Sequence, residues 1–184
     1  PDGRIAPSDS VFALLLSVRS FLEIRDGVYL VGMHTGGLAL YDSHTHKLIK
    51  YNTREEGSRK LYNDQVSNIV KDREGRIWIG TFGGGFCRFD EEKGIMEWLT
   101  AVEGLSDDNI NSIIPGDDGK LWISTGNGIS AYDPESRQFT NYMGRSEIPV
   151  NEFSMKGGIK LPGDRIYFSG SNGLVSFYPE RLIE

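Results

Sequence analysis

The sequence predicts an all-β protein, a β-propeller, and three observations support that prediction. The chain contains a repeat of 44 to 48 residues, each copy has turn residues at the same places, and each copy has a short apolar strand at its centre. The copies centre on Leu30, Trp78, Trp122 and Tyr167, which are separated by 48, 44 and 45 residues. A period of about 40 to 50 residues is typical of propellers and other stacked repeats, whose units cannot bury their own faces alone.

Each repeat has the pattern of four strands joined by tight turns. In the second copy an alternating segment, 66–71, is followed by turn residues and by an apolar run at 76–81. A glycine-rich break leads to a third strand at 86–89, and another turn leads to a fourth at 95–98. The third copy repeats this order, and its turns contain Gly, Asn, Asp and Pro, which favour bends. The pattern therefore predicts one four-stranded antiparallel blade per repeat.

The second strand of each blade is apolar at successive positions, as in segment 77–79. A strand that is apolar on both faces needs a neighbouring sheet on each side, which radial stacking of blades provides. The residue after each such run is small: Gly80, Ser124 and Ser169. We expect these residues to let the adjacent blade approach closely, although a bulge would explain Gly80 equally well.

Four blades do not account for the whole chain. The fourth has no segment for an outer strand, and segment 11–16 fits either a strand or an amphipathic helix. Closed propellers have about four to eight blades, and the incomplete fourth blade leads us to interpret the chain as part of a larger ring. The predicted divisions are an unassigned segment and four blades, at residues 1–17, 18–60, 61–104, 105–146 and 147–184.

The repeat resembles the two-component regulator propeller repeat. The shared features are the polar lead-in at 105–109, the Asp-x-x-Gly turn, the Leu/Ile-Trp-Ile-Gly-Thr strand, a Gly-Gly-Leu-type strand start and an aromatic-Asp end. The resemblance covers residues 18–179. It departs at Leu30, where other copies carry an aromatic ring, and at Asp164 and Arg165, where others carry a Gly-basic pair.

This resemblance implies a function. It implies the periplasmic sensor region of a hybrid two-component histidine kinase, of the kind that gut bacteria use to detect polysaccharide fragments. The implied ligand is an oligosaccharide, and the implied full-length protein is a homodimeric histidine kinase. The chain itself would then not be an enzyme. A propeller enzyme of the lyase or hydrolase type and a protein-interaction propeller are the alternatives.

Composition restricts the possible partners. The 184-residue chain has a net charge of −6 and scattered Lys and Arg residues, which disfavours binding to nucleic acid. It contains no run of 18 apolar residues, so we expect membrane contact only through segments outside this chain. The single cysteine, Cys87, lies in an alternating strand, where a buried and inert thiol is expected.

The motifs that suggest chemistry have structural explanations. The glycine run 83–85 is followed by a strand, whereas a phosphate-binding loop is followed by a helix. His44 and His46 lie in a predicted turn with no third metal ligand nearby. Asp72 and Asp117 recur at one turn of successive repeats, whereas a catalytic pair is needed only once. We therefore predict no catalytic residue, no metal site and no cofactor.

Binding is the function that the residue pattern supports. Because a strand meander alternates ends, the loops that lead into strand 1 and the loops between strands 2 and 3 must share one end of the ring. Amides and carboxylates interleaved with aromatic rings suit sugar hydroxyls. The alternative for each residue is that it only closes its own loop. The predicted ligand-binding residues are His34, Tyr62, Asn63, Asp64, Phe82, Asn109, Asn127, Asn151 and Asn172.

Overall fold

The computed structural model describes residues 17–142 and 152–182, which form four antiparallel sheets in sequence order. Blade 1 contains β1 (Val18–Arg25), β2 (Val28–Met33), β3 (Leu38–Asp42) and β4 (Lys47–Tyr51). Blade 2 contains β5 (Val66–Lys71), β6 (Ile77–Thr81), β7 (Phe86–Asp90) and β8 (Gly94–Leu99). Blade 3 contains β9 (Ile110–Pro115), β10 (Leu121–Thr125), β11 (Gly128–Asp133) and β12 (Gln138–Tyr142). Blade 4 contains β13 (Phe153–Leu161), β14 (Arg165–Gly170) and β15 (Gly173–Phe177).

The sheets are arranged as the blades of a propeller. Within each blade, every strand pairs with the next in sequence. The first strands β1, β5, β9 and β13 contact one another in order and line the axis. A hydrogen bond of 3.1 Å from Asn68 Nδ2 to the carbonyl of Asn111 joins two of these inner strands. The predicted all-β propeller is confirmed.

The hydrophobic cores lie between blades. Leu30 and Ile79 belong to the core between blades 1 and 2, Trp78 to the next and Trp122 to the one between blades 3 and 4. At most 1% of the surface of each of these four side chains is exposed. Ile79 and the adjacent Trp78 point to opposite neighbours, which explains why the second strand is apolar throughout.

A small residue on the second strand receives a side chain from the next blade. A Cβ atom on Gly80 would lie 2.8 Å from Cγ2 of Ile110, and one on Gly32 would lie 2.5 Å from Cγ1 of Val66. These distances leave no room for a side chain at either glycine. The predicted close approach at Gly80 is confirmed, and the nearby bulge is in the partner strand, between Val66 and Asn68.

Blade 4 differs from the others. It has three strands, as the sequence predicts, and its second strand is only partly buried, although the pattern predicts burial on both faces. Tyr167 is half-buried, and Ile159 and Leu174 on the same face are 55% and 61% exposed. The prediction fails here because none of the described sheets covers this face, whereas β6 and β10 lie between two blades.

Helical structure in the described ranges consists of short 3-10 segments at Gly57–Arg59, Ala101–Glu103 and Pro179–Arg181. None of the helices there has the length and apolar character needed to cross a membrane. Segment 11–16, for which the sequence left two possibilities, lies outside the described residues.

Candidate ligand-binding end of the propeller

The inter-blade loops and the loops between strands 2 and 3 meet at one end of the ring, as predicted. We call this the upper end, where the first strand of each blade begins; the lower end is opposite. The amide of Gly37 donates to the carbonyl of Asp64 at 2.9 Å, and the amides of Gly83 and Gly85 donate to the carbonyl of Asp108 at 3.0 and 2.9 Å. In blades 1 and 2 the loop between strands 2 and 3 is thereby fixed to the next inter-blade loop.

The predicted polar residues of the inter-blade loops also hold these loops in shape. Asn63 Oδ1 accepts from the amide of Gln65 at 2.8 Å. The Asp64 carboxylate accepts from both the amide and the hydroxyl of Thr53, at 2.7 and 3.0 Å. Asn109 forms an isolated β-bridge with Phe82. The loop-closing role is therefore present, and it leaves further donors and acceptors of these side chains for a ligand.

Two aromatic rings at the upper end are exposed. The ring of Tyr62 lies 4.3 Å from that of Trp98, with an angle of 8° between their planes, and Tyr62 is 56% exposed. Phe82 is 37% exposed, and its amide donates to the carbonyl of Gln65 at 2.9 Å. Both rings offer an apolar face beside amide groups. The sequence-based reasoning missed Trp98, although an aromatic residue near the end of an outer strand at this end was a usable signal.

His34 lies at the centre of the upper end, where the ring axis opens. Its ring Nδ1 is buried and has no hydrogen-bond partner among the described residues, and its amide donates to the carbonyl of Ser17 at 3.0 Å. The space beside it leaves no room for a water molecule. Its lining residues include three that the sequence-based reasoning did not select: Arg19, Gln65 and Met155.

The remaining predicted residues lie further around the ring. Asn127 is in the exposed turn between β10 and β11, and Asn172 is in the exposed turn between β14 and β15. Asn151 lies outside the described residues. The structure thus brings His34 and Phe82 together near the axis, places Tyr62 at the outer side of blade 2 and leaves Asn127 and Asn172 in separate loops.

The lower end is held together by ion pairs between successive blades. Arg25 of blade 1 pairs with Glu91 of blade 2 at 2.7 Å, and Arg76 of blade 2 pairs with Glu135 of blade 3 at 2.6 Å. The Arg76 side chain also contacts the buried carboxylate of Asp72. Charges at this end therefore connect one blade to the next.

The recurring acidic residues of the lower end have structural partners. Asp72 accepts from Trp78 Nε1 at 2.9 Å, and Asp118 lies 3.3 Å from Trp122 Nε1. Lys160 Nζ donates to Asp117. These contacts explain why carboxylates recur at one turn without forming a catalytic pair.

A second acidic position recurs at the turn between strands 3 and 4. Oδ1 of Asp90 accepts from the amides of Lys93 and Glu92 at 3.0 Å each, and these bonds lower the pKa of Asp90. The pKa values of Asp42 and Asp133 are lowered in the same way by hydrogen bonds within their own turns. Three blades thus use an aspartate to fix the same turn.

The surroundings of His44, His46 and Cys87 do not favour metal or redox chemistry. The ring of His44 is exposed and lies 3.5 Å from Asp26, and His46 Nδ1 lies 3.3 Å from the Tyr41 hydroxyl. No group of three metal-ligating side chains occurs within residues 17–142 and 152–182. Cys87 is fully buried as predicted, and this burial raises the pKa of its thiol.

Comparison with known proteins finds a similar repeat in two segments of the chain. Residues 63–83 and 104–127 match the family model of the two component regulator propeller. These two segments are similar to that repeat. The matched segments of the two-component regulator propeller include Asn63, Asp64, Phe82, Asn109 and Asn127. No curated protein sequence matches the chain.

Solved structures share the propeller fold. The extracellular domain of BT4673 from B. thetaiotaomicron, assigned as a hybrid two component system, is 22% identical with a TM-score of 0.71, over 91% of this chain and 21% of that one. The corresponding domain of BT3049 is 26% identical with a TM-score of 0.54, over 89% and 28%. The computationally designed Ika4 protein is 13% identical with a TM-score of 0.60, over 88% and 91%. The chain therefore spans 21% to 28% of the length of the two bacterial neighbours.

Proposed function

We propose that this chain is part of the ligand-sensing propeller of a hybrid two-component sensor, and that its upper end binds an oligosaccharide. The observation that carries the proposal is the combination of the exposed Tyr62 and Phe82 rings with the amide side chains of Asn63 and Asn109. A sugar needs an apolar surface for its ring face and fixed polar partners for its hydroxyls.

The sensor setting is supported by the repeat and by the neighbours. Both bacterial structures come from extracellular domains assigned to hybrid two component systems. By analogy, the chain lies on the periplasmic side of the inner membrane, and the full-length protein is a homodimeric histidine kinase anchored through segments outside this chain. The chain itself senses and does not catalyse. The roles of Asp72 and Asp118 in holding tryptophan rings support this, because they account for acidic residues that an enzyme would need for proton transfer.

Exposed faces at both ends of the blade series support a larger ring. Phe21 of blade 1 is 54% exposed and stacks on Tyr29 of its own blade, with ring centroids 5.0 Å apart. Ile159 and Leu174 of blade 4 are exposed on the face that points away from blade 3. Further blades of the same protein would cover both surfaces, as blades 2 and 3 cover each other.

The experiment is a thermal-shift and calorimetric screen of oligosaccharides against the full extracytoplasmic region and this chain. An aromatic anchor contributes more than about 1 kcal/mol, so Tyr62→Ala and Phe82→Ala should each weaken binding by about fivefold or more. Glu92→Ala, an exposed change at the lower end, is the control and should leave affinity unchanged. The proposal is wrong if no oligosaccharide binds, or if the lower-end variant weakens binding as much as the upper-end variants.

A further inference from the structure

Each inner strand of the propeller has a bulge close to the upper end. In blade 2 the unpaired residue is Ser67, and in blade 3 it is Asn111. Both side chains are buried, and the amide nitrogen of Asn68 connects them by donating to Ser67 Oγ and to the carbonyl of Asn111, at 3.0 and 3.1 Å. Small polar residues at this place are therefore part of the repeated architecture.

Blades 1 and 4 depart from this pattern, and each departure places a cation at the bulge. In blade 1 the unpaired residue is Arg19. In blade 4 the irregularity extends from Phe153 to Gly158 and includes Lys156, whose φ of 58° lies in the left-handed region. Residues with a Cβ atom disfavour that region. Bulges re-aim side chains and are frequent next to functional sites.

Among the described residues, neither cation has a suitable partner. Arg19 Nη1 lies 2.6 Å from Sδ of Met155, and a thioether is only a weak acceptor for a guanidinium that carries five donors. In the part of the chain that the structure describes, no carboxylate forms an ion pair with Arg19 or Lys156. Partial burial and the charge of Arg19 lower the pKa of Lys156. At the lower end, by contrast, Arg25 and Arg76 each pair with a glutamate of the next blade.

Further polar and aromatic groups that can contact a ligand surround Arg19. His34 lines the same space, and its buried Nδ1 has no hydrogen-bond partner within residues 17–142 and 152–182. Gln65 adds an amide and Phe82 an aromatic ring. A guanidinium beside an ammonium group provides the bidentate and point-charge contacts that carboxylate and sulfate groups prefer.

We propose that Arg19 and Lys156 form an anion site at the upper opening of the axis, which binds a carboxylate or sulfate group of an acidic oligosaccharide. The sugar identity rests on the proposed function, whereas the preference for an anion rests on the two cations themselves. The space beside His34 does not admit a water molecule, so the incoming anion displaces the Arg19 side chain from Met155.

The first experiment uses this chain with simple probes. Sodium sulfate and sodium galacturonate are titrated into the isotope-labelled chain at matched ionic strength against sodium chloride, and the Arg19 Nε–H and Met155 methyl resonances are followed. Both probes should give saturable shifts. Arg19→Gln and Lys156→Gln should each weaken binding by about tenfold or more, because hydrogen bonds to charged groups are lost. Lys50→Gln, an exposed change on β4, is the control.

Thermal stability distinguishes cations that bind an anion from cations that stabilise the fold. Because neither cation has a carboxylate partner in the described residues, Arg19→Gln and Lys156→Gln should leave the melting temperature unchanged or raise it. A clear fall in melting temperature for both variants, with no saturable anion shift in the parent chain, would overturn the proposal.

The second experiment compares oligogalacturonate with its neutral methyl ester. Tighter binding of the acidic form that depends on Arg19 and Lys156 supports the site. Equal binding of both forms, unaffected by either substitution, overturns the anion site and leaves the proposed sugar sensor intact. Binding of sulfate through Arg19 without binding of any oligosaccharide supports the anion site and removes the sugar proposal.

Discussion

Truncation of Trp122 tests whether the cores between blades stabilise the propeller. The ring is 1% exposed and lies 4.9 Å from Phe177 and 5.9 Å from Tyr142, measured between ring centroids. Burying about 150–250 Å² of aromatic surface at about 25 cal/mol/Å² corresponds to roughly 4–6 kcal/mol. Measured losses for Trp→Ala in cores are about 3–5 kcal/mol. For a domain of this size, about 2–4 °C per kcal/mol converts this loss to a fall of roughly 6–20 °C in melting temperature.

The repeat supplies a matched control. Tyr167 occupies the same place in blade 4, but its ring is half-buried, so Tyr167→Ala should lower stability much less. Thermal unfolding is followed by far-UV circular dichroism, which reports mainly on the backbone. If Trp122→Ala melts within a degree or two of the parent, or no lower than Tyr167→Ala, then the core between blades 3 and 4 does not hold the fold as described.

Three further changes test other parts of the structure. Gly80→Val should cost about 1–3 kcal/mol in urea unfolding by overpacking, and adding Ile110→Ala should restore part of it; no loss would contradict the close approach. Asp90→Asn should destabilise the chain at pH 7, and the loss should shrink as the pH falls below about 4, because the stability linked to a lowered carboxylate pKa is fully present above the unfolded value and disappears as the pH falls through the folded one. A loss that does not change with pH would contradict that linkage. The isolated chain should self-associate in sedimentation velocity at micromolar concentrations, and Leu174→Lys should reduce this; a compact monomer would show that the exposed faces need no cover.

The strands could be predicted from the sequence because every blade repeats the same pattern of turn residues and apolar runs. Segment 66–71 was predicted as a strand and is β5 (Val66–Lys71), and the burial of Trp78 and Trp122 followed from runs apolar on both faces. Tyr167 was the exception. Its pattern is the same, but burial depends on a neighbouring sheet, which a local pattern does not specify.

The candidate site was only partly predictable, for two physical reasons. Alternation along a strand assigns side-chain direction only while pairing is regular, and a bulge interrupts it, so Arg19 was not recognised as facing the axis. An amide in a loop can bond its own backbone or a ligand with equal ease. The hydrogen bond from the Gln65 amide to Asn63 Oδ1 depends on the loop conformation, which the residue pattern does not specify.

The contact between Gly80 and Ile110 gives the blade series a direction. At both glycine contacts, Gly32 with Val66 and Gly80 with Ile110, the second strand of one blade is the receiving side and the first residue of the next inner strand is the inserting side. In blade 1 the equivalent inserting residue, Val18, is 48% exposed, and in blade 4 the equivalent receiving residue is Ser169. In the terms of polymer chemistry, the chain is a monomer with two complementary ends, and joining them head to tail produces either closed rings or open filaments. The same polarity allows a gene to gain or lose one repeat without creating a new kind of interface, because each added blade brings one receiving and one inserting side.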